Sequence, residues 1–240
     1  MRRFIAFCKR RPLFSLRLFL LGLFLFVFLS FARYLIWPPV WFLVSENPAQ
    51  TSFMQFRQKQ WKAQGIDRSI QHTWRDLGQI SRHLQQAVVL AEDGIFWTHD
   101  GFDRERLRIA WEANLAARRV VMGSSTISQQ LAKNLYFQPD KSVARKVREA
   151  IITRRLEFHL EKERILELYL NVVEWGDGIF GAEAAARHYF GVSAARLTRQ
   201  QAATLAVMLP SPLQRSPDSR IVQRNAQRLL GRMQREGDPR

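Results

Sequence analysis

The sequence predicts a mainly α-helical domain behind one N-terminal membrane helix, and three observations carry that prediction. Apolar residues recur at helical spacing through most of the chain after residue 80. Helix-start signals precede several of those runs: Asp103, Thr126 with Gln129, Ser142, and Thr198 with Gln201. No segment alternates apolar and polar residues as a half-buried strand would.

The membrane helix comes first. Arg2, Arg3, Lys9, Arg10 and Arg11 precede residues 13–32, which are rich in Leu and Phe and carry one charge, Arg17. About 20 apolar residues suffice to span a bilayer as a helix. Arg17 and Arg33 lie near the ends, where long side chains can snorkel to the headgroups. Tyr34, Trp37 and Trp41 suit an aromatic belt, and Pro38-Pro39 is expected to end the helix. The basic flank should stay cytoplasmic, which puts the rest of the chain on the other side. A cleaved signal peptide is the competing reading. The run is long for one, and Phe31-Ala32-Arg33 makes a poor cleavage site.

The expected layout is a basic cytoplasmic segment over residues 1–12, an anchor over 13–36 and a membrane-proximal segment over 37–71. A helical domain over 72–217 follows, then a C-terminal helix and basic tail over 218–240. Trp41, Phe42, Phe53, Met54, Phe56 and Trp61 leave the membrane-proximal segment two readings: lying along the bilayer or docking on the domain.

The helices then follow in order. Ile80, Leu84, Val88, Ala91 and Ile95 make one apolar stripe. Asp103 caps a helix carrying Leu107, Ala110, Trp111, Asn114 and Leu115 on one face. Ile127, Leu131 and Leu135 form the stripe after Thr126. Ser142 starts a long helix toward Glu161, with Val143, Val147, Ala150, Ile151 and Phe158 as its expected core face. Another helix spans residues 163–173, and Gly176, Gly178 and Gly181 mark a loop before residues 182–189. Pro210 closes the helix begun at Thr198. The last helix holds Ile221, Val222, Asn225, Leu229, Leu230 and Met233.

Composition narrows the partners. The 240 residues carry 37 Lys+Arg against 21 Asp+Glu, a formal net charge of +16. That balance suits an anionic partner such as phospholipid, phosphorylated substrate or nucleic acid. A domain held outside the cytoplasm excludes nucleic acid. The Arg-rich stretch over residues 215–240 reads equally as a solvated basic face. Cys8 is the one cysteine, so neither an internal disulfide nor a Cys-based metal site can form.

One carboxylate has an awkward address. Glu92 lies four residues after Val88, at the end of its helix, where the helix dipole and apolar neighbours disfavour negative charge. Both effects would raise its pKa toward that of a useful base. A Glu turned to water at the stripe's edge is the alternative. Further on, Gln130, Lys133 and Asn134 share a helix face opposite Leu131 and Leu135. Lys141 follows in a loop, and Arg145, Lys146 and Glu149 recur on the next helix. This strip reads either as solvated charge or as a clamp for a phosphate, aided by amides after Gly123-Ser124-Ser125.

These residues sit in motifs. Glu92-Asp93-x-x-Phe96-x-x-His99-x-Gly101-Phe102-Asp103 resembles the first motif of the family 51 glycosyltransferases, which make peptidoglycan. Gly123-Ser124-Ser125-Thr126-Ile127-Ser128-Gln129-Gln130-Leu131-Ala132-Lys133-Asn134-Leu135 resembles the second. Arg145-Lys146-x-x-Glu149 with Leu156-Glu157 resembles the third. Lys162-x-x-Ile165-Leu166-Glu167-x-Tyr169-Leu170-Asn171, with Trp175-Gly176 and Gly178-Ile179-Phe180-Gly181, resembles the fourth, and residues 202–212 the last. Five motifs in order far exceed the weight of any single one.

The resemblance implies a lysozyme-like helical glycosyltransferase domain that polymerises lipid II into glycan strands. It implies catalytic roles for Glu92, the base, and Glu149, the second carboxylate. It puts Gln130, Lys133, Asn134, Lys141, Lys146 and Arg145 at the donor's diphosphate and nearby sugar. Asp93, His99, Ser125, Thr126, Glu167 and Asn171 take supporting roles, Asp93 and His99 by tying down the loop after Glu92. Glu167 and Asn171 are expected to hold the glycine loop. Ser124 stands where Gly is common. Lys141 stands where Arg is usual, which keeps the charge but loses the bidentate fork.

The chain resembles the monofunctional members, with no transpeptidase domain following. The implied partners are lipid II, the undecaprenyl-diphosphate glycan, membrane lipids and other wall-synthesis or division proteins. The implied location is the bacterial inner membrane. No cofactor is required, and a divalent cation, Mg or Mn, could assist at the diphosphate. A peptidoglycan hydrolase is the nearest rival, but cleaving a glycan has no use for a cationic strip. A non-catalytic wall-binding protein is the rival from another class.

Overall fold

The computed structural model describes residues 12–119, 121–140 and 142–236, which form two compact units, Met1–Pro39 and Val40–Arg240. In the first unit α1 (Pro12–Ala32) is 21 residues long, and its large apolar side chains from Leu16 to Leu29 are exposed. This is one helix long and apolar enough to cross a membrane. It stops at Ala32, before the prolines, and a 3₁₀ turn, Arg33–Leu35, carries the chain onward.

The second unit is built on α2 (Ser52–Ala63), α3 (Arg82–Glu92), α4 (Arg104–Ala117), α5 (Ile127–Tyr136), α6 (Val143–His159), α7 (Lys162–Val172), α8 (Ala182–Phe190), α9 (Arg199–Met208) and α10 (Arg220–Glu236). Three strands of two or three residues, β1 (Gln71–His72), β2 (Glu174–Gly176) and β3 (Ile179–Phe180), pair in the order β1-β3-β2. β1 runs parallel to β3 with Gln71 opposite Ile179, and β2 runs antiparallel to it. They are too short to show a period of two, which is why the sequence hides them. Thr126 with Gln129 and Thr198 with Gln201 form complete capping boxes, as expected.

The centre of this unit is α3. Leu84 and the run from Gln86 to Leu90 are buried, so the helix is covered on nearly every face, with α9 and α10 packed on it. Full burial of Leu84 and Val88 contributes about 1.5–3 kcal/mol each. Ile80 is buried but precedes the helix, and Ile95 follows it and is 45% exposed, so the predicted stripe is really a buried cylinder. On the other side α5 packs against α2, α6 and α7.

The membrane-proximal segment docks on the domain. Val40, Leu43, Met54 and Trp61 are buried. Arg57 binds Glu174 through two bonds of 2.8 and 2.7 Å, and the Trp61 indole donates to Asp177 at 3.1 Å. Gly178, at φ +78°, sits so close that an added Cβ would lie 2.3 Å from the Trp61 ring.

The apolar face of α4 and part of the core face expected on α6 are exposed. On α4 Ala110 is buried, but Leu107, Trp111 and Leu115 are exposed. On α6 Val143, Val147 and Phe158 are exposed, while Glu149, Ile152, Thr153 and Leu156 face the core. Helical periodicity finds a stripe but not which way it faces. Here a buried Glu and Thr, satisfied by polar partners, take the inward positions that the apolar residues were expected to fill.

Candidate active site

Glu92 is the last residue of α3, because Asp93 leaves the helical region at φ −157°, ψ 73°. The half-buried Glu92 carboxylate accepts a 2.7 Å hydrogen bond from the Gln130 amide on α5. Gln130 in turn accepts from the Tyr169 hydroxyl of α7 at 3.0 Å. This relay fixes the Gln130 amide with its NH₂ toward Glu92. Arg106 of α4 donates to the Glu92 backbone carbonyl rather than to its side chain. Burial pushes the Glu92 carboxyl above the usual carboxylate range, against smaller opposing effects of the Gln130 bond and of Arg106, Lys133 and Arg215. Tyr169, fully buried, has its hydroxyl pushed well up and stays a neutral donor.

Asp93 turns inward, 1% exposed, and joins two elements. Its Oδ2 accepts from His99 Nε2 at 2.9 Å and from the Ile127 amide at 2.9 Å, in the first turn of α5. His99 Nδ1 accepts from the Gly101 amide at 2.9 Å, so the ring carries its proton on Nε2. Thr126 adds a 2.8 Å bond to the Gly101 carbonyl. The loop after Glu92 is thus clamped to the helix that carries Gln130 and Lys133.

The second carboxylate sits differently. Glu149 is 2% exposed and ion-paired with both Arg145 and Lys146, Lys146 lying 2.5 Å away. Lys146 also donates to Ser125 at 3.1 Å, which joins α6 to the loop before α5. Lys133 lies within electrostatic reach of Glu149, Arg145, Lys146 and Glu92, and burial pulls its ammonium below the ordinary lysine range. Lys133 thus links the desolvated Glu92 to Arg145, Lys146 and Glu149, so a cationic wall runs from α6 to the α5 lysine that acts on that carboxylate. Such a pair of features can take a proton from a hydroxyl while neutralising charge on a departing anion.

Of the other predicted residues, Asn134 is buried beside Leu131 and Leu135 rather than opposite them. Lys141 lies outside the described residues. Glu167 and Asn171 hold the chain upstream of α3 rather than the glycine loop: Glu167 accepts from the Leu77 amide at 2.9 Å, and Asn171 bonds both the amide and the carbonyl of Arg75 at 2.8 Å. The glycine loop approaches Asn171 only through backbone. Gly181, at φ +85°, would put a Cβ 2.7 Å from the Asn171 carbonyl.

Sequence reasoning missed Tyr169, Arg106 and a polar cluster in which Glu157 joins Ser128 to Lys162. Tyr169, Ser128, Glu157 and Lys162 all fall inside the quoted motifs, so the signal was their membership. Arg106 had no signal beyond its charge. Among the described residues no group of three His, Cys, Asp or Glu could hold a metal. A hollow of about 540 Å³ is lined by Leu77, Arg82 and Trp97 and touches none of the predicted site residues.

The chain is similar to known proteins over the same region. Residues 59–234 match the family model described as Transglycosylase. A protein of Nitrosospira multiformis named biosynthetic peptidoglycan transglycosylase is 47% identical over 78% of this chain and 82% of its own. One of the same name from Azoarcus is 49% identical over 85% and 91%, and one from Aromatoleum aromaticum is 55% identical over 69% and 72%.

Proposed function

The chain belongs to the transglycosylase family of peptidoglycan biosynthesis, and from that premise we propose how its residues polymerise glycan strands. Glu92 is the base. It takes the proton from the 4-hydroxyl of the terminal N-acetylglucosamine of lipid II, a weak nucleophile that needs an acceptor within hydrogen-bond reach. The hydroxyl oxygen attacks the anomeric carbon of the growing strand from the face opposite its diphosphate. A β-linkage forms, the bond to undecaprenyl diphosphate breaks, and the leaving group takes the electron pair. Lys133, Lys146 and Arg145 stabilise the charge gained there, with Lys141 reaching the same diphosphate. Glu149 aims Arg145 and Lys146. Asp93, His99, Ser125 and Thr126 hold α5 and the loop after Glu92 in register, while Glu167 and Asn171 fix the approach to α3.

No cofactor enters this scheme, and a divalent cation such as Mg or Mn would bind on the diphosphate oxygens of the substrate rather than in a protein cage. Helix α1 is the anchor, with its basic flank in the cytoplasm and the enzyme domain outside the inner membrane. The exposed Leu107, Trp111 and Leu115 of α4 suit membrane lipids, which hold both substrates. Other wall-synthesis or division proteins are the natural protein partners.

The observation that carries the reading is the desolvated Glu92 carboxylate facing Gln130 beside the cations of α5 and α6. Purified full-length protein in detergent with labelled lipid II is expected to give long strands, and Glu92→Gln to give none. Shortening of preformed glycan by the wild type would instead identify a hydrolase.

A further inference from the structure

Glu92 also lines a hollow of about 270 Å³ with Arg215, Asn225, Arg228, Leu229 and Arg232, and none of Gln130, Lys133, Arg145 and Lys146 lines it. We infer that Arg228 and Arg232, assisted by Arg215, form a second anion site that grips the diphosphate of the acceptor lipid II. The inference rests on the polymerase reading and adds residues that no motif supplied.

Three observations support it. Asn225, Arg228 and Arg232 stand at i, i+3 and i+7, on one face of α10. Val222, Ala226, Leu229 and Met233 are buried against the domain, so the helix cannot roll and the register of the arginines is fixed. Next, the two sets of cations differ in pairing. Arg145 and Lys146 are ion-paired with Glu149, whereas among the described residues neither Arg228 nor Arg232 lies in an ion pair. Both are exposed and line the same hollow as the half-buried Glu92, where they are free to meet an anion. Finally, the cluster reaches the catalytic loop. Arg232 is the nearest group to a Cβ built on Gly94, at 3.8 Å, and Arg215, held by its bond to the Val207 carbonyl, acts electrostatically on Glu92.

The chemistry calls for such a site. Polymerisation joins two lipid diphosphates: the donor's leaves, and the acceptor's must stay bound and intact. The cationic wall of α5 and α6 serves the first. A second cluster, sharing a hollow with Glu92, serves the other without pulling on a leaving group, and guanidinium forks match phosphate oxygens in pairs.

The test uses the full chain in detergent micelles. The donor is a lipid-linked oligosaccharide blocked at its terminal 4-hydroxyl, and the acceptor is lipid II. Arg228→Gln/Arg232→Gln is expected to raise the acceptor KM about tenfold, with donor KM and kcat within about twofold of wild type. Arg228→Lys/Arg232→Lys should fall between the two, keeping charge but losing the fork. An unchanged acceptor KM, or an equal rise in both KM values, would overturn the site while leaving the polymerase reading intact. Failure of the wild type to extend any acceptor would overturn that reading, and this inference with it.

Discussion

Glu92 and Glu149 are two carboxylates that both act on Lys133, and their surroundings are opposite. Glu92 is met by a neutral amide, Gln130, and burial pushes its pKa up. Glu149 is more deeply buried, yet two cations hold it. A carboxylate held by two cations organises those cations. One desolvated without a pairing cation accepts a proton more readily. In the proposed mechanism the same type of side chain serves as base or as scaffold according to what lies within hydrogen-bond distance.

The contrast can be broken at either end. The largest effect is expected from Glu92→Gln, which keeps the shape and the Gln130 contact but removes the base. Polymerisation should fall at least about 10²–10⁴-fold, read as the initial rate of strand formation. Glu149→Gln should act through its cations. We expect a rate loss of about 10-fold with a raised donor KM, and a fold weakened by about 3 kcal/mol in thermal melts, because a buried ion-paired group is lost. A variant that lost activity without any change in melting would make Glu149 a reacting group instead.

The smallest effect has the opposite sign. The folded-state pKa of Glu92 is raised, so its protonated form is favoured in the fold, and the protein loses stability as pH climbs through that pKa. Glu92→Gln should therefore melt higher than wild type at pH 8, by about 0.5–2 kcal/mol, and the gap should close under acid conditions. A variant less stable at every pH would mean that the carboxylate is not strained by burial.

Much of this was legible in the sequence, for physical reasons that can be named. Capping boxes at Thr126 and Thr198 are local, so spacing alone finds them. Glu92 stood out because a carboxylate beside an apolar run is costly. The exposed faces of α4 and α6 were not legible, because Leu107, Trp111 and Phe158 look like core residues to any rule that reads hydrophobicity without its partner. Nor were contacts set by topology alone: the Tyr169–Gln130–Glu92 relay joins three helices 38 and 39 residues apart in sequence. The docking of residues 40–71, left between two readings by its aromatics, was decided by the Arg57–Glu174 pair, 117 residues apart.

The base assignment is tested most directly by the acid limb of the pH profile of kcat/KM, measured for wild type and Gln130→Leu. That limb reports the pKa of the free enzyme's base. It is expected to lie above the ordinary glutamate value of about 4.3. It should move higher in the variant, where the hydrogen bond that favours ionised Glu92 is gone. A wild-type limb at the ordinary value, or one that stays fixed when Gln130 is replaced, would contradict Glu92 as the desolvated base of this enzyme.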